Sequence, residues 1–250
     1  MEKILRTENL TKHFLGVYAV SGLSVGFEKG QITGIIGPNG SGKSTLTNLL
    51  TGVHDFDKGV IILGQVSLKK VKSFDLPVFG LTRTFQEIRL FEQMPVLDNL
   101  LVALTERNVF GALFEKHTRL HLNKAESILK QVGLWEKHNE LAKNLSYGQR
   151  KLLEIARVLA MCHSGTGDLQ MIFFDEPFAG LFPEMVKVVV TALEKLRAEG
   201  KAVVLIEHNM NLIRQMSDYL YVLDSGELLA EGKPDEVLTR KDVVEAYLGE

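Results

Sequence analysis

The 250-residue chain reads as an α/β protein built on a parallel sheet. Three observations predict this class. The apolar runs Leu169 to Phe174 and Ala202 to Ile206 fit strands buried on both faces. Segments with apolar residues at helical spacing alternate with these runs. A glycine-rich stretch, Gly37 to Thr45, joins an apolar strand to an apolar-periodic helix.

Each element follows from local pattern. The stretch to Glu28 reads as strands, because Val20, Leu23, Val25 and Phe27 nearly alternate. Gln31 to Ile36 is a short strand ending at Gly37, and a helix runs from Gly42 to about Leu50, stopped near Gly52. Val60 to Leu63 is a further strand. From about Pro95 to Val132 the pattern is helical, with Ala125, Ile128, Leu129 and Val132 on one face. Leu152, Ile155, Ala156 and Leu159 mark the next helix; Val186, Val189, Leu193 and Leu196 mark another, closed by Gly200. The helical block at roughly 87–150 interrupts the alternation and reads as a subdomain inserted into one domain spanning 1–250.

Composition narrows the function classes. Hydrophobic residues make up 45% and charged residues 24%, enough for a buried core, so disorder is excluded as the main state. Basic and acidic residues nearly cancel, 29 against 31, which gives no reason to expect a nucleic-acid partner. Cys162 is the single cysteine, so no internal disulfide forms, which fits a reducing compartment. Met1 to Leu10 has no signal-peptide core, and no apolar run approaches the roughly 20 residues of a membrane helix.

Gly37-Pro38-Asn39-Gly40-Ser41-Gly42-Lys43-Ser44-Thr45 matches G-x-x-x-x-G-K-[ST] in full. Glycines let successive backbone N–H groups turn inward around phosphate oxygens. Lys43 adds a positive charge, Ser44 offers a hydroxyl to Mg²⁺, and the following helix points its positive end at the same phosphates.

Met171-Ile172-Phe173-Phe174-Asp175-Glu176-Pro177 reads as an apolar strand ending in two carboxylates. Alone this would be a solvated strand end before the Pro177 turn. Beside a phosphate loop, the first acid can support Mg²⁺ and the second can polarise a water. Leu145-Ser146-Tyr147-Gly148-Gln149 precedes a helix; Ser146 can cap it, and Gly148 would let backbone approach an anion. His208 ends the strand Val203 to Ile206 after Glu207, and is either a phosphate contact or an ordinary strand-end histidine. Gln86 sits where sheet passes into the helical block and gains meaning only from the order of the set.

That order resembles the ATP-binding subunit of ATP-binding-cassette (ABC) transporters over nearly the whole chain. The resemblance implies a phosphate-loop core with a parallel sheet, an antiparallel β portion near the N-terminus, and a helical subdomain. It implies that Phe14, or failing that Tyr18, stacks on adenine. Asn39, Gly40, Ser41, Gly42, Lys43, Ser44 and Thr45 would bind ATP, while Ser44, Gln86 and Asp175 would hold Mg²⁺. Glu176 would be the general base, His208 would contact the γ-phosphate, and Gln86 would reach the attacking water while sensing a membrane partner. Ser146 and Gly148, with Gln149 beside them, would act on ATP held by a second cassette subunit, identical or related, so a dimer is implied.

Three departures stand out. Tyr147 replaces a glycine of the signature pentapeptide, a change tolerable if the side chain points away from the nucleotide. The loop 163–168 is longer than usual and reads as a surface insertion. Phe182 stands where a polar or acidic residue is common, in a segment expected at the dimer interface.

Arg83-Thr84-Phe85-Gln86, Leu145-Ser146-Tyr147-Gly148-Gln149, Ile206-Glu207-His208-Asn209-Met210, the ending Glu245 to Glu250 and the long stretch Thr105 to Leu122 resemble the subunits that power branched-chain amino-acid importers. Urea-importer subunits and the lipopolysaccharide-exporter ATPase are close alternatives, the latter also suited by Asp175-Glu176-Pro177-Phe178-Ala179-Gly180. Soluble cassette ATPases of DNA repair or ribosomes are another class, but they commonly carry two cassettes or a coiled-coil insertion. A regulatory module without turnover is opposed by intact Lys43, Glu176 and His208. The resemblance implies integral-membrane permease subunits on separate chains and a peripheral position on the cytoplasmic face of the plasma (inner) membrane.

Overall fold

The computed structural model describes residues 3–85, 87–104, 119–162 and 169–248. Two compact units are present: Met1–Arg83, Gln170–Glu176 and Glu194–Glu250 form the first, and Thr84–Leu169 with Pro177–Leu193 forms the second.

The first unit carries two sheets. In one, β1 (Lys3–Phe14) pairs antiparallel with β2 (Val17–Leu23), β3 (Gly26–Glu28) and β5 (Lys58–Leu63), and β5 pairs with β6 (Val66–Leu68). This is the expected N-terminal antiparallel portion. The other runs β11 (Glu227–Gly232), β10 (Tyr219–Asp224), β4 (Ile32–Ile36), β9 (Ala202–Ile206), β8 (Met171–Asp175) and β7 (Leu81–Arg83). All its pairs are parallel except the β10–β11 hairpin. Every residue of β4, β8 and β9 is buried, which is why these strands are apolar without alternation.

Register positions the chemistry. Ile206 lies opposite Ile35 on one side and Asp175 on the other. The carboxyl ends of β4, β9 and β8 therefore stop side by side, and the residues that follow each strand emerge together.

The core lies between the two sheets around α1 (Lys43–Leu50). Leu46, Leu49 and Leu50 pack in one cluster with Leu5, Val20 and Phe27 from the antiparallel sheet and Phe173, Val204 and Leu223 from the parallel one. Each such side chain contributes about 1.5–3 kcal/mol by leaving water. Phe27 meets Phe173 and Tyr221 edge-on, with ring centroids 6.1 and 6.0 Å apart. The Tyr221 hydroxyl donates to the Gly26 carbonyl and accepts the Gly26 N–H, both at 2.9 Å, tying the two sheets together. Burial pushes the Tyr221 phenol up to about 12, against the pull of the Gly26 N–H. The unit also contains α6 (Met210–Met216), α7 (Pro234–Val237) and α8 (Lys241–Leu248). Asn209 caps α6 by accepting the N–H groups of Asn211 and Leu212.

The second unit is helical: α2 (Val96–Leu104), α3 (Arg119–Gln131), α4 (Tyr147–Cys162) and the part of α5 (Pro183–Ala198) through Leu193. The helices α2, α3 and α4 pack pairwise. The stripes read from the sequence are buried, including Ala125, Ile128, Leu129 and Val132, and Leu152, Ile155, Ala156 and Leu159. Asn99 is fully buried and clamps the preceding segment: it accepts the Phe91 N–H at 3.0 Å and donates to the Phe91 and Pro95 carbonyls at 3.1 and 3.0 Å. This unit also takes in residues 151–162 of α4 and residues 177–193, which lie outside the 87–150 block. Gln86, the loop 163–168 and residues 105–118 of the long helical stretch lie outside the described residues.

Candidate active site

The phosphate-loop sequence leaves β4 at Ile36 and enters α1 at Lys43. Two of its glycines are fixed by close approach. A Cβ at Gly37 would fall 2.1 Å from the Leu223 carbonyl oxygen and 2.5 Å from Ser41 Oγ. Gly42 caps α1 with φ 101°, and a Cβ there would fall 2.4 Å from the Ala19 carbonyl oxygen. Asn39, Gly40 and Ser44 are exposed, Thr45 is half-buried, and Ser41 and Lys43 are buried.

The Lys43 ammonium turns back on its own loop. It donates to the carbonyls of Gly37 at 2.8 Å and Pro38 at 2.9 Å, and to Ser41 Oγ at 3.4 Å. Burial lowers the Lys43 pKa, while the carboxylates of Glu176 and Asp175 pull it the other way. The lysine is thus held near the loop mouth with two negative charges in range.

Asp175 is the last residue of β8 and Glu176 follows with φ 47°, a left-handed conformation uncommon for glutamate. The Glu176 N–H donates to the Ile206 carbonyl at 2.9 Å, which fixes this reversal against β9. Strict strand alternation ends there. Glu176 Oε1 lies 2.9 Å from His208 Nε2, and the Glu207 carboxylate accepts the His208 N–H at 3.1 Å.

Asp175 faces a residue that the sequence marks only as part of a tetrapeptide. Arg83, at the end of β7, reaches Asp175 Oδ2 at 3.3 Å through one nitrogen. Its other terminal nitrogen donates to Asn48 Oδ1 at 2.7 Å and Thr51 Oγ1 at 2.9 Å on and just beyond α1. Both side chains of the Arg83–Asp175 pair are nearly buried. No sequence signal marks this role, since Arg83 is 92 residues from Asp175 and β7 is too short to show a period.

Phe14 ends β1, opposite Val17, and is 42% exposed. Its ring meets His54 edge-on with centroids 5.5 Å apart, and Lys12 Nζ lies 5.2 Å from its centroid. Tyr18, the alternative, is 57% exposed. Asp57 anchors this hairpin end by accepting the His13 N–H at 2.8 Å and the Lys12 ammonium at 3.0 Å. Those contacts, the His13 N–H first, hold its carboxyl below the usual carboxylate range.

The segment Leu145–Gln149 belongs to the second unit. Ser146 and Gln149 form a reciprocal cap on α4: Gln149 Oε1 accepts the Ser146 N–H at 3.0 Å, and Ser146 Oγ accepts the Gln149 N–H at 3.3 Å. Gly148 is buried, and a Cβ there would fall 2.6 Å from Met185 Sδ. Its missing side chain thus makes room for Met185. The Tyr147 ring covers Gly180, whose added Cβ would fall 2.8 Å from Tyr147 Cε1. Phe182 is 71% exposed.

In the first unit, loop amides at a helix start, an ammonium, two carboxylates and a histidine gather at one end of a parallel sheet. This arrangement can bind a polyphosphate and activate a water beside it. Residues 20–179 match the family described as ABC transporter, and the chain belongs to that family as its ATP-binding, ATP-hydrolysing cassette. Residues 227–250 match a second model, described as branched-chain amino acid ATP-binding cassette transporter.

The chain is 36% identical to the high-affinity branched-chain amino acid transport ATP-binding protein LivG of Salmonella typhimurium, over 100% of this chain and 99% of LivG. It is similar to the crystal structure of the ADP conformation of an ATP-binding cassette of an ABC transporter: TM-score 0.83, 35% identity, 100% of each chain covered. It also resembles a dimeric post-hydrolysis ATP-binding cassette bound to ADP and Pi: TM-score 0.78, 25% identity, covering 92% of this chain and 98% of that one.

Proposed function

We propose that this chain is the ATP-hydrolysing motor of an importer for branched-chain or other hydrophobic amino acids. The observation that supports this most is the match of residues 227–250 to the branched-chain model, because that segment lies beyond the general cassette match at 20–179.

In this reading ATP phosphates rest on the loop Asn39 to Thr45, and Lys43 exchanges its own carbonyl partners for phosphate oxygens. Phe14 stacks on adenine, with Tyr18 the other candidate. Ser44 and Asp175 are hard oxygen donors that fit Mg²⁺. Among the described residues no cluster of three His, Cys, Asp or Glu side chains could hold a metal, which suits an ion that takes most of its ligands from phosphate and water. When bound, Mg²⁺ would neutralise charge on the phosphates. Gln86 would reach the metal and the attacking water.

Glu176 takes the proton of that water as general base. His208 contacts the γ-phosphate and, lying against Glu176, orients that carboxylate. Ser146, Gly148 and Gln149 act on ATP held by a second cassette subunit, a reading supported by the dimeric relative. The force reaches permease subunits on separate chains, from the cytoplasmic face of the plasma membrane. Among the described residues no helix is long and apolar enough to cross a membrane, so contact with a spanning partner would have to run through protein.

The test is uptake in vesicles holding this chain, its permeases and any related cassette. ATP-dependent uptake of leucine, abolished by Lys43→Ala, is the expected result. Uptake of urea without leucine, or export of lipopolysaccharide, would replace the substrate reading.

A further inference from the structure

The helices α6, α7 and α8 of the first unit border a cavity to which the functional reading gives no task. Its volume is about 300 Å³, and it is lined by Met210 and Arg214 of α6, Leu238 just after α7, and Val243, Val244 and Tyr247 of α8. The last four of these lie in the segment 227–250 that matches the branched-chain model. The lining is largely apolar, and the volume suits one small molecule, since ligand pockets run from about 300 Å³ upward.

Charge stands at its edge. Arg214 Nε lies 2.6 Å from Oδ1 of Asp235 on α7, and both side chains are exposed. That contact takes one donor of the guanidinium and one oxygen of the carboxylate. Among the described residues the two terminal nitrogens of Arg214 and the Oδ2 of Asp235 make no other hydrogen bond. A cation with donors to spare and an anion with an oxygen to spare thus stand beside an aliphatic hollow. A fatty acid would set its carboxylate against Asp235, and an alkylamine would set its ammonium against Arg214. A molecule with both charges next to one aliphatic group matches both.

We infer that this cavity binds one small hydrophobic amino acid: its carboxylate on the Arg214 guanidinium, its ammonium on Asp235, and its branched side chain among Leu238, Val243 and Val244. Occupancy acts on the ATPase through α6. Met210 opens that helix two residues after His208, whose Nε2 meets Glu176 at 2.9 Å, and Asn209 between them caps it. A ligand packed on Met210 favours this arrangement of α6 over others, so turnover should slow. Leucine is the probe because of the importer reading; the match of shape and charge stands without it.

Leucine titrated into the full nucleotide-free chain should bind with a Kd on the order of 1 mM, as a small ligand in a half-open cavity does, and raise the melting temperature. Leucinamide and 4-methylpentanoate, each lacking one charge, should bind about three- to tenfold more weakly. Arg214→Gln should weaken leucine binding by a similar factor, and Val244→Trp, which fills the cavity from its exposed side, should abolish it. Saturating leucine should lower the ATPase rate at least about twofold in wild type and leave it unchanged in Val244→Trp. Absence of binding at about ten times the expected Kd would overturn the inference, as would binding that both variants retain in full. Full occupancy with an unchanged ATPase rate would overturn the link through α6. Leucine binding here together with uptake of urea alone would instead sink the importer reading and leave the site standing.

Discussion

His208 Nε2 and Glu176 Oε1 stand 2.9 Å apart, so the residues that follow β9 and β8 bring their side chains into contact. The backbone contributes to the pairing: Glu176 adopts φ 47° and donates its N–H to Ile206, two residues before His208. A strained conformation held by the sheet aims the carboxylate, which no feature of the strand's own period would do.

Glu176→Gln should therefore bind nucleotide normally and hydrolyse it slowly. Glutamine keeps the size and can still bond to His208, but it cannot take up a proton. The expected loss is on the order of 10²–10⁴ in rate. With ATP and Mg²⁺ the variant should accumulate as a dimer, because ATP bound by two subunits favours the closed pair. Turnover near wild type would remove Glu176 from the role. Light scattering that shows only monomer at saturating ATP would exclude a homodimer.

Arg83→Lys should raise the Mg²⁺ concentration that the ATPase requires without touching the phosphate loop. The guanidinium bridges Asn48, Thr51 and Asp175, and a lysine cannot supply that fork. Losing these contacts in a nearly buried place should cost about 1–3 kcal/mol of stability. A Mg²⁺ titration of activity should shift to higher concentration. A wild-type titration curve would show that Asp175 is positioned without Arg83.

Gly180→Ala probes the substitution at Tyr147. Gly180 has φ 70°, and the new methyl would lie 2.8 Å from the Tyr147 ring. Strain and crowding together should cost about 1–2 kcal/mol. In Tyr147→Gly the crowding part disappears, so a double-mutant cycle should show coupling of about 0.5–1 kcal/mol. Additive losses in denaturant melts would mean that the two residues do not act on each other.

Phe91→Asp tests a docking surface for the permease. Phe91 is 45% exposed, its ring lies 5.2 Å from the Arg157 guanidinium, and Asn99 fixes its backbone. A charge there should leave the fold and basal ATPase in place and abolish membrane association and transport. Normal permease binding by the folded variant would place the surface elsewhere. A lowered melting temperature with loss of activity would mark Phe91 as packing.

Much of this architecture is legible in sequence because local pattern carries it. The strands β4, β8 and β9 are apolar throughout since both faces are covered, and the phosphate loop needs its glycines in fixed places. Less legible is what depends on distant chain segments. The strands β6, β7 and β11 leave weak signals: β6 and β7 have three residues each, and β11 mixes buried and exposed positions. The task of Arg83 appears only when β7 is placed beside β8. Gly148 shows a similar gap: its place before a helix suggests an anion approach, while its closeness to the Met185 sulfur depends on a distant segment.

The reciprocal cap of Ser146 and Gln149 has a consequence for which ligands the start of α4 admits. Ser146 Oγ accepts the Gln149 N–H, which leaves its hydrogen and one lone pair for a ligand. That hydroxyl stands at the positive end of the helix. An oxygen of a phosphate has lone pairs to offer and negative charge, so it is favoured twice. An ammonium arriving there would meet charge of its own sign. The turn that begins the helix thus sorts visitors by charge, before size or shape is consulted.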